Sequence, residues 1–137
     1  MKRILIVLLL AASFSVFLGG CSLTKDKAEK KGDPIPFTVV EDAKLPDELK
    51  ELIEGKKAEP FEMTYNSDNY LYIVVGFGKK DTGGYSITVD NVYLDGEEIH
   101  IETSLLGPED GSMAEGGETF PFVTVKMEYR ENMVVFD

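Results

Sequence analysis

The sequence predicts a mainly β (α+β) fold: a small antiparallel β-sandwich or partly open barrel of about seven strands with one short amphipathic helix. Two observations point there. Beyond residue 60 the chain breaks into short runs rich in Val, Ile, Tyr, Phe and Thr, divided by clusters of Gly, Asp, Asn and Ser. Only residues 44–57, "KLPDELKELIEGKK", repeat their apolar side chains at helical spacing.

Taken in order, residues 37–40, "FTVV", form a short strand. In the helix that follows, Pro46 suits the first helical position, and Asp47 and Glu48 meet the positive end of the backbone dipole. Leu45, Leu49, Leu52 and Ile53 fall on one face. Gly55 supplies a left-handed stop, with Lys56 and Lys57 at the negative end. "FEMTYN" (61–66) and "YLYIVVGFG" (70–78) pair as a hairpin about the turn cluster Ser67-Asp68-Asn69. "YSITVDNVYL" (85–94) alternates with Tyr85, Ile87 and Val89 on one side, then changes parity at Val92 and Leu94. One extra residue near Asp90-Asn91, a β-bulge, restores the pattern. Asp95-Gly96 signals a tight turn, after which "EEIHIETSL" (97–105) returns with Ile99, Ile101, Thr103 and Leu105 inward. A polar run fills 107–119. "FPFVTVKMEYR" and "MVVF" are two further strands joined by a turn near Glu131-Asn132.

Two adjacent glycines stand before the alternating run in "KKDTGGYSITV" (79–89). Gly83 and Gly84 predict a hairpin reversal, because tight turns need positive φ and glycine has no Cβ to oppose it. Gly76 and Gly78, just upstream, permit a bulge or a close approach of another backbone.

Residues 1–20 begin with Lys2 and Arg3 and continue as an uncharged, mostly apolar run from Ile4 to Leu18. This is the layout of a secretory signal, and the run is short for a membrane span of about 20 residues. It ends in Leu18-Gly19-Gly20-Cys21, which resembles the bacterial lipobox. The resemblance implies that diacylglycerol joins the sulfur of Cys21 and that a peptidase then cuts before it. Cys21 is the only cysteine in the chain, so no internal disulfide can form and the body must stand on its apolar core. The expected organisation is a lipoprotein signal peptide at 1–20, the lipidated cysteine and a flexible tether at 21–36, and an acidic β-rich domain at 37–137. The tether reaches at most about 50 Å. The expected location is outside the cytoplasm, anchored by acyl chains to the outer face of the cell membrane or to an outer membrane.

Residues 37–137 carry 8 basic and 22 acidic side chains. Such a domain does not bind nucleic acid by neutralising phosphates. Its acidity serves solubility, or else the binding of a divalent cation such as calcium or of a basic partner surface.

No catalytic constellation stands out. His100 is the only histidine; Glu98 and Glu102 share its strand face, but alternate side chains stand about 7 Å apart and strain the chelation of a single ion. Nothing resembling a nucleophile elbow surrounds Ser67, Ser86, Ser104 or Ser112. "DNVYLDGEE" does not match the EF-hand spacing. The reading is therefore a non-enzymatic domain without cofactor or predicted metal site, against the alternative of a ligand- or calcium-binding envelope module.

The run from Tyr70 to Gly111, followed by "TFPFVTVKM", resembles the C-terminal domain of the PrcB family of protease-complex subunits. The resemblance rests on a glycine-bearing hydrophobic strand, on Thr82-Gly83-Gly84-Tyr85, on two alternating strands, on Pro108 in the loop, and on Thr119-x-Pro121 before the last long strand. It implies an exported, lipid-anchored, non-catalytic β domain that associates with surface proteins, a secreted or surface protease among them. Asp81, Thr82, Gly83, Gly84, Tyr85, Pro108, Thr119 and Pro121 are the candidate protein-binding residues. "DTGGY" also resembles the threonine-glycine-aromatic loop of chagasin-type protease inhibitors. Those inhibitors carry a further tryptophan loop, and this chain has no tryptophan.

Overall fold

The structure, a computed structural model, describes residues 31–109 and 116–137. The stretch expected as a signal peptide, Cys21, most of the expected tether and the middle of the 107–119 loop lie outside the described residues. The elements are β1 (Asp33–Pro34), β2 (Thr38–Val39), a 3-10 turn (Asp42–Lys44), α1 (Asp47–Lys56), β3 (Pro60–Ser67) and β4 (Tyr70–Phe77). They continue with β5 (Ser86–Asp95), β6 (Glu98–Leu106), β7 (Phe122–Glu128) and β8 (Met133–Phe136). Eight strands form two four-stranded sheets, ordered β1-β5-β6-β8 and β2-β7-β4-β3, and neither closes into a barrel. The fold is a small α+β sandwich.

Three layers result. Leu71, Ile73 and Val75 of β4 and Val123, Val125 and Met127 of β7 face Val92, Ile99 and Ile101 of the other sheet. The opposite face of β4 presents Tyr72 and Val74, and these are covered by Leu49 and Ile53 of α1 and by Leu45 just before it. Double coverage explains why "YLYIVVGFG" is nearly continuous in apolar residues, whereas half-buried β3 alternates. Each fully buried aliphatic side chain here contributes about 1.5–3 kcal/mol.

Several local expectations hold. The β3–β4 hairpin turns at Asp68-Asn69, both at positive φ, the pattern of a two-residue type I′ turn. The β5–β6 register shifts between Val89 and Asn91, so the parity change is a bulge. The turn after Asp95 is centred one residue later than the Asp-Gly signal, on Gly96 and Glu97, with Gly96 at φ 60.

Others are corrected. Gly83 and Gly84 do not close a hairpin: β4 and β5 lie in different sheets, and the chain crosses between them. A sheet-switching loop and a hairpin need the same turn residues, so the sequence around Gly84 (φ 83) does not separate them. The link from β7 to β8 also changes sheets, and β8 pairs in parallel with β6. Gly55 lies inside the last turn of α1, which ends through the right-handed residue Lys57, while Pro46 is the cap and not the first helical residue. Leu52 is exposed, because a helix docked on one sheet needs only the narrow stripe of Leu45, Leu49 and Ile53. An eighth strand comes from Asp33–Pro34, which pairs with Leu94 and Tyr93 of β5, and Ile35 is buried beside it. The last residues of the stretch expected as tether thus lie against the sheet.

Gly76 marks the tightest approach in the helix-side layer. A Cβ there would overlap the ring of Phe61, its neighbour across β3. Gly76→Ala is expected to destabilise the fold by about 1–3 kcal/mol, and Phe61→Leu in the same chain to recover part of that loss. Urea unfolding of the single and double variants measures both.

Candidate binding site

The candidate residues converge because β4 and β7 are hydrogen-bonded neighbours. The N–H of Phe77 donates to the carbonyl of Pro121 at 3.0 Å, which fixes the entry to β7 beside the exit from β4. One step further, Lys80 and Thr119 form an isolated antiparallel bridge, with N–H to O distances of 2.8 and 2.9 Å. The Thr119 hydroxyl then donates to the carbonyl of Thr82 at 2.7 Å. An exposed ion pair between Lys79 and Glu118, 2.7 Å, runs alongside. The strand exit at 78–82 and the strand entry at 118–121 are therefore knitted into one ridge.

Gly84 turns the chain at positive φ into Tyr85, whose ring is half-buried. Lys80 Nζ lies 5.9 Å from the centre of that ring, and the ring passes over Gly107, where a Cβ would sit 3.7 Å from it. Such a contact between a cation and an aromatic face is worth about 0.5–1 kcal/mol at an exposed site. The structure thus brings Thr82, Gly84, Tyr85, Thr119 and Pro121 to one end of the sandwich. Asp81 is exposed on the same turn, and Gly83 is half-buried without a left-handed backbone. Pro108 follows Gly107 and is half-buried. Lys80 and Glu118 also belong to this tip. Their only sequence signal was adjacency to the motif residues.

His100 stands elsewhere, on the outer face of the β5–β6 sheet. Its ring stacks on Tyr93 with centres 5.0 Å apart and planes 8° from parallel. Nδ1 lies 2.7 Å from the Asp137 carboxylate, and Nε2 lies 3.6 Å from Glu98. The trio with Glu102 imagined from sequence does not assemble. Glu102 instead accepts from Lys31 Nζ and Asn91 Nδ2, both at 2.6 Å, and these hydrogen bonds hold its carboxyl below the usual range. The Ser104 hydroxyl donates to Asp90, not to the imidazole. Among the described residues no group of three or more His, Cys, Asp or Glu is placed to hold a metal ion.

Residues 71–128 match the family model described as PrcB C-terminal. This segment belongs to the PrcB family. The match begins at the second residue of β4 and ends with β7, so the PrcB segment comprises the four central strands, the ridge and the long loop. It leaves out α1, β1 to β3 and β8, which supply the cover for one face of β4 and all four sheet edges. It nearly coincides with the resemblance read from the sequence. No match was found among curated proteins or among solved structures.

Two measurements probe these contacts. Thr119→Val removes one hydrogen bond worth about 1 kcal/mol, and amide exchange in residues 81–84 is expected to quicken while the two sheets stay protected. The His100 pKa is raised above the ordinary histidine value of 6.5, first by the hydrogen bond to Asp137, which outweighs the opposing effect of burial, and further by the charges of Asp137, Glu98 and Asp95. A raised folded-state pKa stabilises fully below the unfolded value, and that stabilisation is lost as pH rises through the folded value. The thermal midpoint should therefore drop across that window, and Asp137→Asn should flatten the drop. NMR titration of the sole histidine gives the folded value directly.

Proposed function

We propose that the protein is a non-catalytic binding subunit, lipid-anchored through Cys21 outside the cytoplasm, and an accessory partner of a surface protease complex. The observation that carries this reading is the PrcB match over residues 71–128. The shape of the tip supports it. A binding ridge must keep its form without its partner, since ordering side chains on contact costs about 0.5–1.5 kcal/mol each. Here residues 77–82 and 118–121 hold one another through four hydrogen bonds, three between backbones and one from the Thr119 hydroxyl, and Asp81, Lys79 and Glu118 remain at the surface.

The proposed subunit works by position. The acyl anchor confines it to a membrane surface, the tether sets its reach, and the tip with the 107–119 loop meets the partner protein. The non-catalytic part of the reading rests on the PrcB likeness; His100 is engaged by Asp137 and Tyr93, and the Ser104 hydroxyl by Asp90.

The test has two arms. An alkyne fatty acid fed to producing cells should label the wild-type chain and not Cys21→Ser; a labelled variant would remove Cys21 as the anchor. Replacing residues 110–115 with two glycines should preserve the folding transition and lower recovery of a crosslinked partner at least tenfold. Unchanged recovery would remove the loop from the interface.

A further inference from the structure

Three of the four outer strands are short: β1 and β2 have two residues each and β8 has four. The fourth, β3, has eight residues. Its register with β4 runs unbroken from Pro60 to Ser67, with no bulge, no lysine or arginine and no interior proline. Those are the usual devices that keep a long edge from pairing with another chain. In an antiparallel pair, alternate residues point their N–H and C=O groups away from the neighbour. On β3 no further hydrogen bond among the described residues takes up the outward-facing backbone groups.

A cleft of about 460 Å³ lies beside this edge. Glu62, Thr64 and Asn66 of β3 line one side, and Val134 and Phe136 of β8 the other. The segment bridging the sheets at its end is fixed: the Tyr129 N–H donates to the Asn69 carbonyl at 3.0 Å, and Asn132 Nδ2 donates to the Glu97 carbonyl at 2.9 Å. Glu62 and Glu131 both face the cleft and make no ion pair or hydrogen bond among the described residues; Arg130 is the one cation in its lining. On the opposite face of β3, Phe61, Met63 and Tyr65 pack against the α1 cluster.

We propose that the β3 edge docks an extended segment of a partner protein, which adds to the sheet as a fifth strand. The two faces of β3 specify the chemistry of that segment, because side chains of an added strand alternate between them. Positions beside Phe61, Met63 and Tyr65 take apolar residues. Positions beside Glu62, Thr64 and Asn66 take lysine or arginine, which meet the unpaired carboxylates of Glu62 and Glu131. A second copy of this chain fits poorly, since it carries a formal charge of −11 and no cation on β3. Pro60 lies against Gly78, so the added strand would extend along the edge toward the 81–85 tip. The inference rests on the binding-subunit reading and gives it a partner chemistry.

The experiment titrates the full chain with an octapeptide alternating valine and lysine, followed by amide exchange. Two matched peptides serve as controls, one with glutamate replacing lysine and one with alternate backbone nitrogens methylated. The lysine peptide should slow exchange of alternate amides within 61–67 at least tenfold. Both control peptides should bind at least tenfold more weakly, and Glu62→Lys should reverse the preference between lysine and glutamate. Equal binding of the lysine and glutamate peptides overturns the proposed chemistry. No slowing by any peptide, while crosslinking at the tip still captures a partner, overturns the edge site and leaves the binding-subunit reading standing. Absence of any crosslinked partner removes that reading itself. Protection of β3 without peptide, in a chain that sediments as a dimer, assigns the edge to a second copy and overturns the proposal.

Discussion

Strand β4 is buried on both of its faces, and the rest of the molecule is arranged to provide that cover. Leu71, Ile73 and Val75 need one apolar partner layer, while Tyr72 and Val74 need another. The β5–β6 sheet meets the first requirement and α1 meets the second. A small sandwich without a disulfide in its described residues gains most of its stability from these two interfaces, because exposed ion pairs such as Lys79–Glu118 contribute about 0–1 kcal/mol. Among the described residues, Thr124 is the one buried polar residue. It is buried opposite Val74, and its hydroxyl finds no partner among the described residues, a local cost of about 1–3 kcal/mol.

Once β4 is enclosed, the connections between sheets become the places where binding surfaces can form. The chain leaves one sheet after β4 and returns to it at β7, and both crossings occur at the same end of the sandwich. Thr82 and Thr119 are therefore neighbours despite 37 residues of separation. At the other end, the crossing from β7 to β8 leaves the long β3 edge uncovered and holds an acidic cleft beside it. The family match ends at the boundary of this second crossing. The PrcB segment supplies the ridge, and the flanking elements supply the helix cover and the open edge.

The outer face of the β5–β6 sheet uses charge differently. His100, Tyr93 and Asp137 tie β8 to β6, and Lys31, Glu102 and Asn91 tie the start of the described chain to β5 and β6. These contacts join the two outermost pieces of the sheet to its centre. Removing a proton from His100 weakens only the first of them, so the histidine titration acts on the final strand.

The sequence by itself determined what short-range chemistry dictates. The Asp68-Asn69 turn, the bulge between Val89 and Asn91, the single helix and the inward run of Ile99 and Ile101 all follow from period and turn residues within a few positions. The Thr82 to Tyr85 and Thr119 to Pro121 motifs were also legible, as a resemblance. Only the tertiary structure decided which strands share a sheet. Gly83 and Gly84 announce a reversal but not whether the next strand pairs with the last one or faces it across the core. The parallel docking of Met133–Phe136 on β6, the contact of His100 with Asp137 and the exposure of Leu52 were illegible for the same reason. Each depends on the choice of a partner many residues away, made by competing ways of covering apolar surface, and no local pattern encodes that choice.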